Sequence, residues 1–340
     1  METDYKEILL ELNELCCELG KNEKLVQAAG GNASVKNDNI LLIKSSGTRL
    51  ADAKINNIFV DVNLYKLQES MNKNNFSDPI PILTGSSGKA SIETHLHSLL
   101  PHKFVIHLHM VEAVQELIKP NWRETISKKL GNQFNWCGVD YFKPGPTLAK
   151  AVKSAINSKK IDIVFLANHG VFFGANNVNL LRDLIYSIQE LLDISLPEVV
   201  KQKRYKKNTD AYNKIFKENF QRTSNPSIDE LALNTNMFRH IQENWAFCPD
   251  HVVFLGARPF IVKNQSINVT NLIDVPFIFV PDVGVYQNKQ LSRSQYEQIL
   301  FFYNVFRYIK PGEDINILDI NQINELLNWD AEKFRKNIQS

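Results

Sequence analysis

Strands interleaved with helices along the whole chain predict a layered α/β protein. Short runs of β-prone apolar residues recur, the clearest at 40–44, 59–62, 104–108 and 161–167. Amphipathic stretches, with apolar residues at three- and four-residue spacing, lie between them. At 340 residues the chain exceeds one minimal core and suits one large domain or two modest ones.

Taken in order, residues 4–20 set Ile8, Leu9, Leu12, Leu15, Cys16 and Leu19 at helical spacing, and Gly20 supplies the stop. A glycine turn follows in Gln27-Ala28-Ala29-Gly30-Gly31-Asn32-Ala33-Ser34-Val35. Residues 40–44 read as a strand, Ser45-Ser46-Gly47-Thr48 as a turn, 59–62 as another strand and 70–78 as a polar surface loop. A short helix over 93–100 ends near Pro101 and leads into the strand 104–108. Helices are expected at 111–118 and 147–157, and a fully apolar strand at 161–167. The helix expected over 178–195 turns Leu180, Leu181, Leu184, Ile185, Ile188, Leu191 and Leu192 inward. Beyond a polar, lysine-rich passage at 201–229 come strands near 251–255, 259–262 and 276–280, then helices near 292–309 and 320–337. The expected division is a domain over 1–225 and a smaller α/β extension over 226–340.

Composition narrows the function classes. A net charge of +2 offers no broad field for nucleic acid, and the basic run 201–207 reads as a solvated helix end or linker. Four cysteines, two of them adjacent at Cys16 and Cys17, form no CxxC pair, which argues against a zinc–thiolate site and a disulfide framework. The acidic, then amphipathic N-terminus is unlike a signal peptide, and no apolar run approaches the ~20 residues of a membrane span. The expected location is the cytoplasm, with neither membrane nor nucleic acid as partner.

The most informative residues are His107 and His109 in Phe104-Val105-Ile106-His107-Leu108-His109. Strand alternation puts both imidazoles on one face, and a metal ion requires such a pair of neutral nitrogen donors. Glu93 lies upstream, and a second apolar run ends in Asn168-His169-Gly170. Three imidazoles leave a coordination position where a substrate oxygen gains a Lewis acid, and a nearby carboxylate can move the proton on the adjacent carbon. Each residue alone has a plainer explanation: a wet sheet edge for the His pair, a turn for His169, a helix first-turn acid for Glu93. His95, His97, His102 and His240 are assigned to surface or packing roles, and His251 is a weak candidate for reaching a site.

Five motifs in order, Gly-Gly-Asn-x-Ser, Ser-Gly-Thr, Ser-x-Glu-Thr, His-x-His and Asn-His-Gly, resemble the class II aldolase/adducin family over residues 5–195. Val26 to Asn32, Ser91 to Thr94, Pro249 to Val252 and Val280 to Val285 look closest to the aldolase part of bifunctional rhamnulose-phosphate aldolase/dehydrogenases. No dinucleotide fingerprint occurs. The resemblance implies a three-layer α/β/α fold around a mixed, largely antiparallel sheet, metal ligands His107, His109 and His169, and Glu93 as acid/base. It implies a phosphate pocket at Gly31, Asn32, Ser46 and Gly47, and a homo-oligomer with a tetramer favoured. Two positions depart from the family pattern. Ile92 stands where a second serine precedes the glutamate, so Ser86, Ser87 or Lys89 would have to compensate. Tyr141 sits later than the family's tyrosine donor, which leaves a second acid unassigned.

The expected function is that of a metal-dependent lyase, with Zn2+ the favoured ion. It would cleave a ketose, a ketose 1-phosphate being the favoured form, by retro-aldol reaction through a metal-stabilised enediolate. A sugar-phosphate epimerase or dehydratase using the same apparatus is the alternative, and a non-catalytic adducin-like interaction domain a further one.

Overall fold

The computed structural model describes residues 2–193, 209–262, 272 and 274–339; the basic run 201–207 lies outside the described residues. Two compact units make up the chain, Met1–Asp193 and Ile194–Ser340.

In the first unit the elements run α1 (Glu2–Gly20), β1 (Asn32–Asn37), β2 (Ile40–Lys44), β3 (Phe59–Asn63), α2 (Leu64–Asn72), α3 (Thr94–Leu99), β4 (Phe104–Leu108) and α4 (Val111–Leu117). Then follow α5 (Trp122–Leu130), β5 (Trp136–Val139), α6 (Pro146–Ile156), β6 (Ile163–Leu166), β7 (Gly170–Ala175) and α7 (Val178–Leu192). The seven strands form one sheet in the order β3-β2-β1-β4-β7-β6-β5. All neighbours are antiparallel except β5 and β6.

Strand alternation divides the core between two faces. Ile106, Phe173 and Phe165 pack with Leu12, Leu15, Ile126, Ile185 and Ile188 from α1, α5 and α7. Val105, Phe172 and Val164 pack with Leu67, Leu96, Leu148 and Val152 from α2, α3 and α6. Helices therefore cover both sides of the sheet, giving the expected three layers. β4 lies at its centre, so all five of its residues are buried and, His107 apart, its sequence is apolar.

Two elements differ from expectation here. The polar stretch at 70–78 begins inside α2, whose Leu64, Leu67 and Met71 form a buried stripe that Asn63 caps by accepting from Lys66 N. On α7, Leu181, Ile185, Ile188 and Leu192 are buried, whereas Leu180 and Leu191 face outward at 56% and 37% exposure. The buried four repeat at three and four residues, which keeps them on one stripe, and their neighbours are rotated off it.

The second unit contains α8 (Asp210–Phe216), β8 (Phe220–Arg222), α9 (Pro226–Leu233), α10 (Thr235–Glu243), α11 (Pro249–Leu255), β9 (Phe260–Ile261), β10 (Phe277–Val280) and β11 (Gly284–Asn288). It ends with α12 (Arg293–Phe306), α13 (Ile320–Leu327) and α14 (Asp330–Gln339). Its strands form a smaller sheet, β8-β11-β10-β9. β8 precedes the expected boundary at 225, yet it pairs with β11 of the second unit.

The strand expected near 251–255 is instead the helix α11. Its apolar run suits either structure, and the flanks decide. Pro249 occupies the first turn, where its missing N–H costs nothing, and Gly256 follows the last residue at φ +88°. The helix expected over 320–337 is two, because Asn328 and Trp329 interrupt it. Among the described residues no helix is long and apolar enough to cross a membrane.

Candidate metal centre

Three strands bring the histidines together. His107 sits on β4 and His109 just past its end, while His169 occupies the turn between β6 and β7. β7 pairs antiparallel with both β6 and β4, Leu108 opposite Val171 and His107 opposite Phe172, so the turn lies beside the end of β4. Asn168 takes the left-handed conformation at φ +55°, which asparagine tolerates, and His169 N closes the turn on Leu166 O at 3.2 Å.

Nitrogens of His107, His109 and His169 all lie within 4.8 Å of one another, and all three residues are buried. Nε2 of His107 and Nε2 of His109 are 3.1 Å apart. Nδ1 of His107 donates to Val171 O at 3.2 Å; a carbonyl only accepts, so Nδ1 carries the hydrogen and Nε2 presents its lone pair. Phe172 stacks on the same ring at 4.3 Å and 19°, removing its freedom to rotate. His109 is held through its backbone, whose carbonyl accepts from Gln27 Nε2 at 3.4 Å.

Glu93 stands across from the imidazoles, 4% exposed, at the start of α3. Its Oε2 is 3.7 Å from His107 Nε2 and its Oε1 3.6 Å from His169 Nε2. Oε2 also accepts from Asn32 Nδ2 at 2.8 Å, while the buried Oε1 accepts no hydrogen bond. A buried carboxylate oxygen left bare is costly unless a cation or substrate satisfies it. Three imidazole nitrogens beside that oxygen are a donor set that fits a borderline divalent ion such as zinc.

The four residues expected around a phosphate separate into two places. Gly31 and Asn32 lie against the histidine strand, with Asn32 opposite His107 in the β1–β4 ladder. Gly31 adopts φ +64°, and a Cβ there would approach His107 O to 2.7 Å, so only glycine lets the two backbones meet. Ser46 and Gly47 form a separate turn, where Ser46 N donates to Lys89 O at 2.7 Å and Gly47 takes φ +82°. The buried Lys44 ammonium ties the turns together, donating to Ala29 O at 3.3 Å and Thr48 O at 2.6 Å. Ser86 Oγ accepts from Asp61 N, and Ser91 Oγ from Glu93 N.

The histidines assigned to surface or packing roles are all buried. His95 packs on Phe76, and burial pushes its pKa down to about 4. His102 pairs with Asp162 at 2.8 Å, and His240 Nδ1 accepts from Asn244 Nδ2. His97 differs: it hydrogen-bonds Asn32 Oδ1 through Nε2, and Ser34 Oγ at 2.7 Å through Nδ1. The signal was present, since His97 follows Glu93 by four residues, one helical turn along the same face.

The family described as Class II Aldolase and Adducin N-terminal domain matches residues 11–196. A protein of Bacillus subtilis (strain 168) named "Uncharacterized oxidoreductase YuxG" is 24% identical over 282 residues, 72% of this chain and 40% of that protein. The chain thus spans about two fifths of the length of this curated relative. Among solved structures, the N-terminal class II aldolase domain of a conserved protein from Thermoplasma acidophilum is 26% identical. Its TM-score is 0.46, over 54% of this chain and 90% of that one. A sugar-phosphate aldolase from Thermotoga maritima is 16% identical with a TM-score of 0.45, over 56% and 93%.

Proposed function

Because the chain belongs to the class II aldolase and adducin family, we propose that it is a metal-dependent aldolase-type lyase that cleaves a ketose, phosphorylated at C1, by retro-aldol reaction. The observation that carries this reading is the convergence of His107, His109 and His169 on one point, with the unsatisfied Oε1 of Glu93 beside it. The three histidines hold a divalent ion, zinc being favoured by an all-imidazole set. Bound there, the ion supplies Lewis acidity to the oxygen atoms of the ketose.

This chain's own residues do the rest. Retro-aldol cleavage moves one proton from the hydroxyl of the carbon that leaves as aldehyde to the carbon next to the carbonyl, and Glu93 delivers it to that carbon once the carbon–carbon bond has broken. Asn32 keeps Oε2 engaged, so Oε1 is the oxygen that handles the proton. Gly31, Asn32 and the Ser46-Gly47 turn, joined by Lys44, receive the anionic end of the substrate, where backbone N–H groups and a buried cation favour negative charge. The first unit is the catalytic one, and the protein acts in the cytoplasm as a homo-oligomer, a tetramer by analogy with the family. The oxidoreductase name of the Bacillus relative is that of a protein of which this chain matches two fifths.

Purified full chain, reconstituted with Zn2+ and offered a panel of ketose 1-phosphates, is expected to release a triose phosphate. His109→Ala is expected to abolish both bound metal and release. A new isomer or loss of water without triose would defeat cleavage in favour of epimerisation or dehydration, and an absence of stoichiometric metal would defeat the enzyme reading altogether.

A further inference from the structure

We propose that His97 is a positioning residue for the proton transfer: a one-way chain of hydrogen bonds from Ser34 through His97 and Asn32 fixes the carboxylate of Glu93. This inference rests on the reading of Glu93 as the proton carrier.

The direction of each bond follows from what each atom can do. The carboxylate accepts, so the Asn32 amide nitrogen faces Glu93 Oε2, at 2.8 Å, and its carbonyl oxygen faces the other way. That carbonyl also only accepts, so His97 Nε2 carries the hydrogen it shares with Asn32 Oδ1. Burial pushes the His97 pKa well below its ordinary value, outweighing a backbone hydrogen bond at Val105 that raises it, so the ring is neutral and, with its one hydrogen on Nε2, leaves Nδ1 bare. Nδ1 therefore accepts from the Ser34 hydroxyl at 2.7 Å. All four groups are buried, and every donor points toward Glu93. Aligned donors polarise one another, which strengthens the bond to the reacting group.

Packing fixes the same residues. Asn32 and Ser34 alternate on β1, which puts both side chains on the face that α3 covers. Glu93 and His97 are one turn apart at the start of α3, so helix and strand clasp each other through this network. Phe172 meets His97 edge-on at 5.3 Å and stacks on the ligand His107 at 4.3 Å. One aromatic ring thus spaces the carboxylate's support from the metal's support. Both ring nitrogens of His97 are engaged by Ser34 and Asn32, and the residue lies outside the trio that can hold an ion, which is why its role is to orient and not to react.

The test uses the full chain with Zn2+ and the ketose 1-phosphate turned over in the panel. His97→Ala is expected to lower kcat about 10- to 100-fold, the scale of lost support to an active-site group, with KM and bound metal near wild type. His97→Gln, whose amide can still donate to Asn32 Oδ1, is expected to restore most of the loss. A kcat unchanged in His97→Ala while Glu93→Gln is inactive would overturn the role of His97 and leave the function standing. A Glu93→Gln variant with wild-type kcat would instead overturn the reading of Glu93 itself. Independently of any variant's folding, 15N-histidine spectra of the wild-type protein are expected to show His97 as the neutral Nε2–H tautomer. The Nδ1–H tautomer would reverse the chain of donors and defeat the proposal.

Discussion

Both units bury histidines, and they do so to opposite ends. In the first, His107, His109 and His169 turn nitrogen toward nitrogen, with Nε2 atoms of the first two 3.1 Å apart and a carboxylate within 4 Å. In the second, His251 is fully buried inside a box of carbon: Trp245 at 4.3 Å, Phe247 at 5.0 Å and Phe302 at 5.2 Å between ring centroids. Burial pushes its pKa down to about 3, with only a backbone hydrogen bond at Gln298 acting the other way. Depth is therefore no guide to chemistry. What separates a binding site from a packed ring is whether lone pairs point at one another or at hydrocarbon.

The sharpest way to break this contrast is to remove one group from each side. His109→Ala is expected to release the metal and cost activity at least about 10²- to 10³-fold, on the scale of a lost electrostatic stabiliser, measured by metal analysis and turnover. Its thermal midpoint without metal should barely move, since the site holds an ion more than it holds the fold. Phe302→Ala is expected to do the reverse. It empties the aromatic box, costing about 3–5 kcal/mol in denaturant unfolding, and leaves the metal content of the protein at one equivalent.

A finer test concerns protons. Above about pH 6.5 His251 is neutral whether folded or unfolded, and stability does not respond to it. Below that value the unfolded chain takes up a proton that the buried ring, with its pKa near 3, refuses, so stability falls as pH drops toward 3. His251→Leu is expected to keep the protein folded at pH 7 and to make this acid limb shallower by one histidine's share, the remainder coming from groups such as His95 and His97, read from midpoints between pH 7 and 4. A variant that unfolds as readily in acid as wild type would show that folding does not hold the His251 ring neutral.

Much of the site was legible because its parts follow simple periods. The apolar run around His107 is continuous because β4 is central in the sheet, and the two-residue pleat sets the spacing of the His pair. The Asn-His-Gly turn follows from asparagine's tolerance of φ > 0, realised at Asn168. Contacts between distant segments carry no such period. The sequence places Asn32 beside a phosphate, and nothing in it shows that the fold also turns the Asn32 amide to Glu93, 61 residues away. His97 was assigned to packing, although its distance from Glu93 is one helical turn, because the asparagine that joins them belongs to another element. The second unit is the least legible from sequence for a related reason. In α11 every residue is buried, so no polar face marks a helical period, and only Pro249 and Gly256 at its flanks distinguish it from a strand.

Gly170 carries a consequence for how this centre tolerates change. A Cβ there would stand 2.5 Å from Leu108 O, 3.0 Å from His107 Cε1 and 3.2 Å from His109 Cδ2. A single methyl group would thus drive a wedge between two imidazoles and the main chain that carries them. The pocket's tolerances are machined into the backbone itself, and the residue that permits them is the one with no side chain to offer.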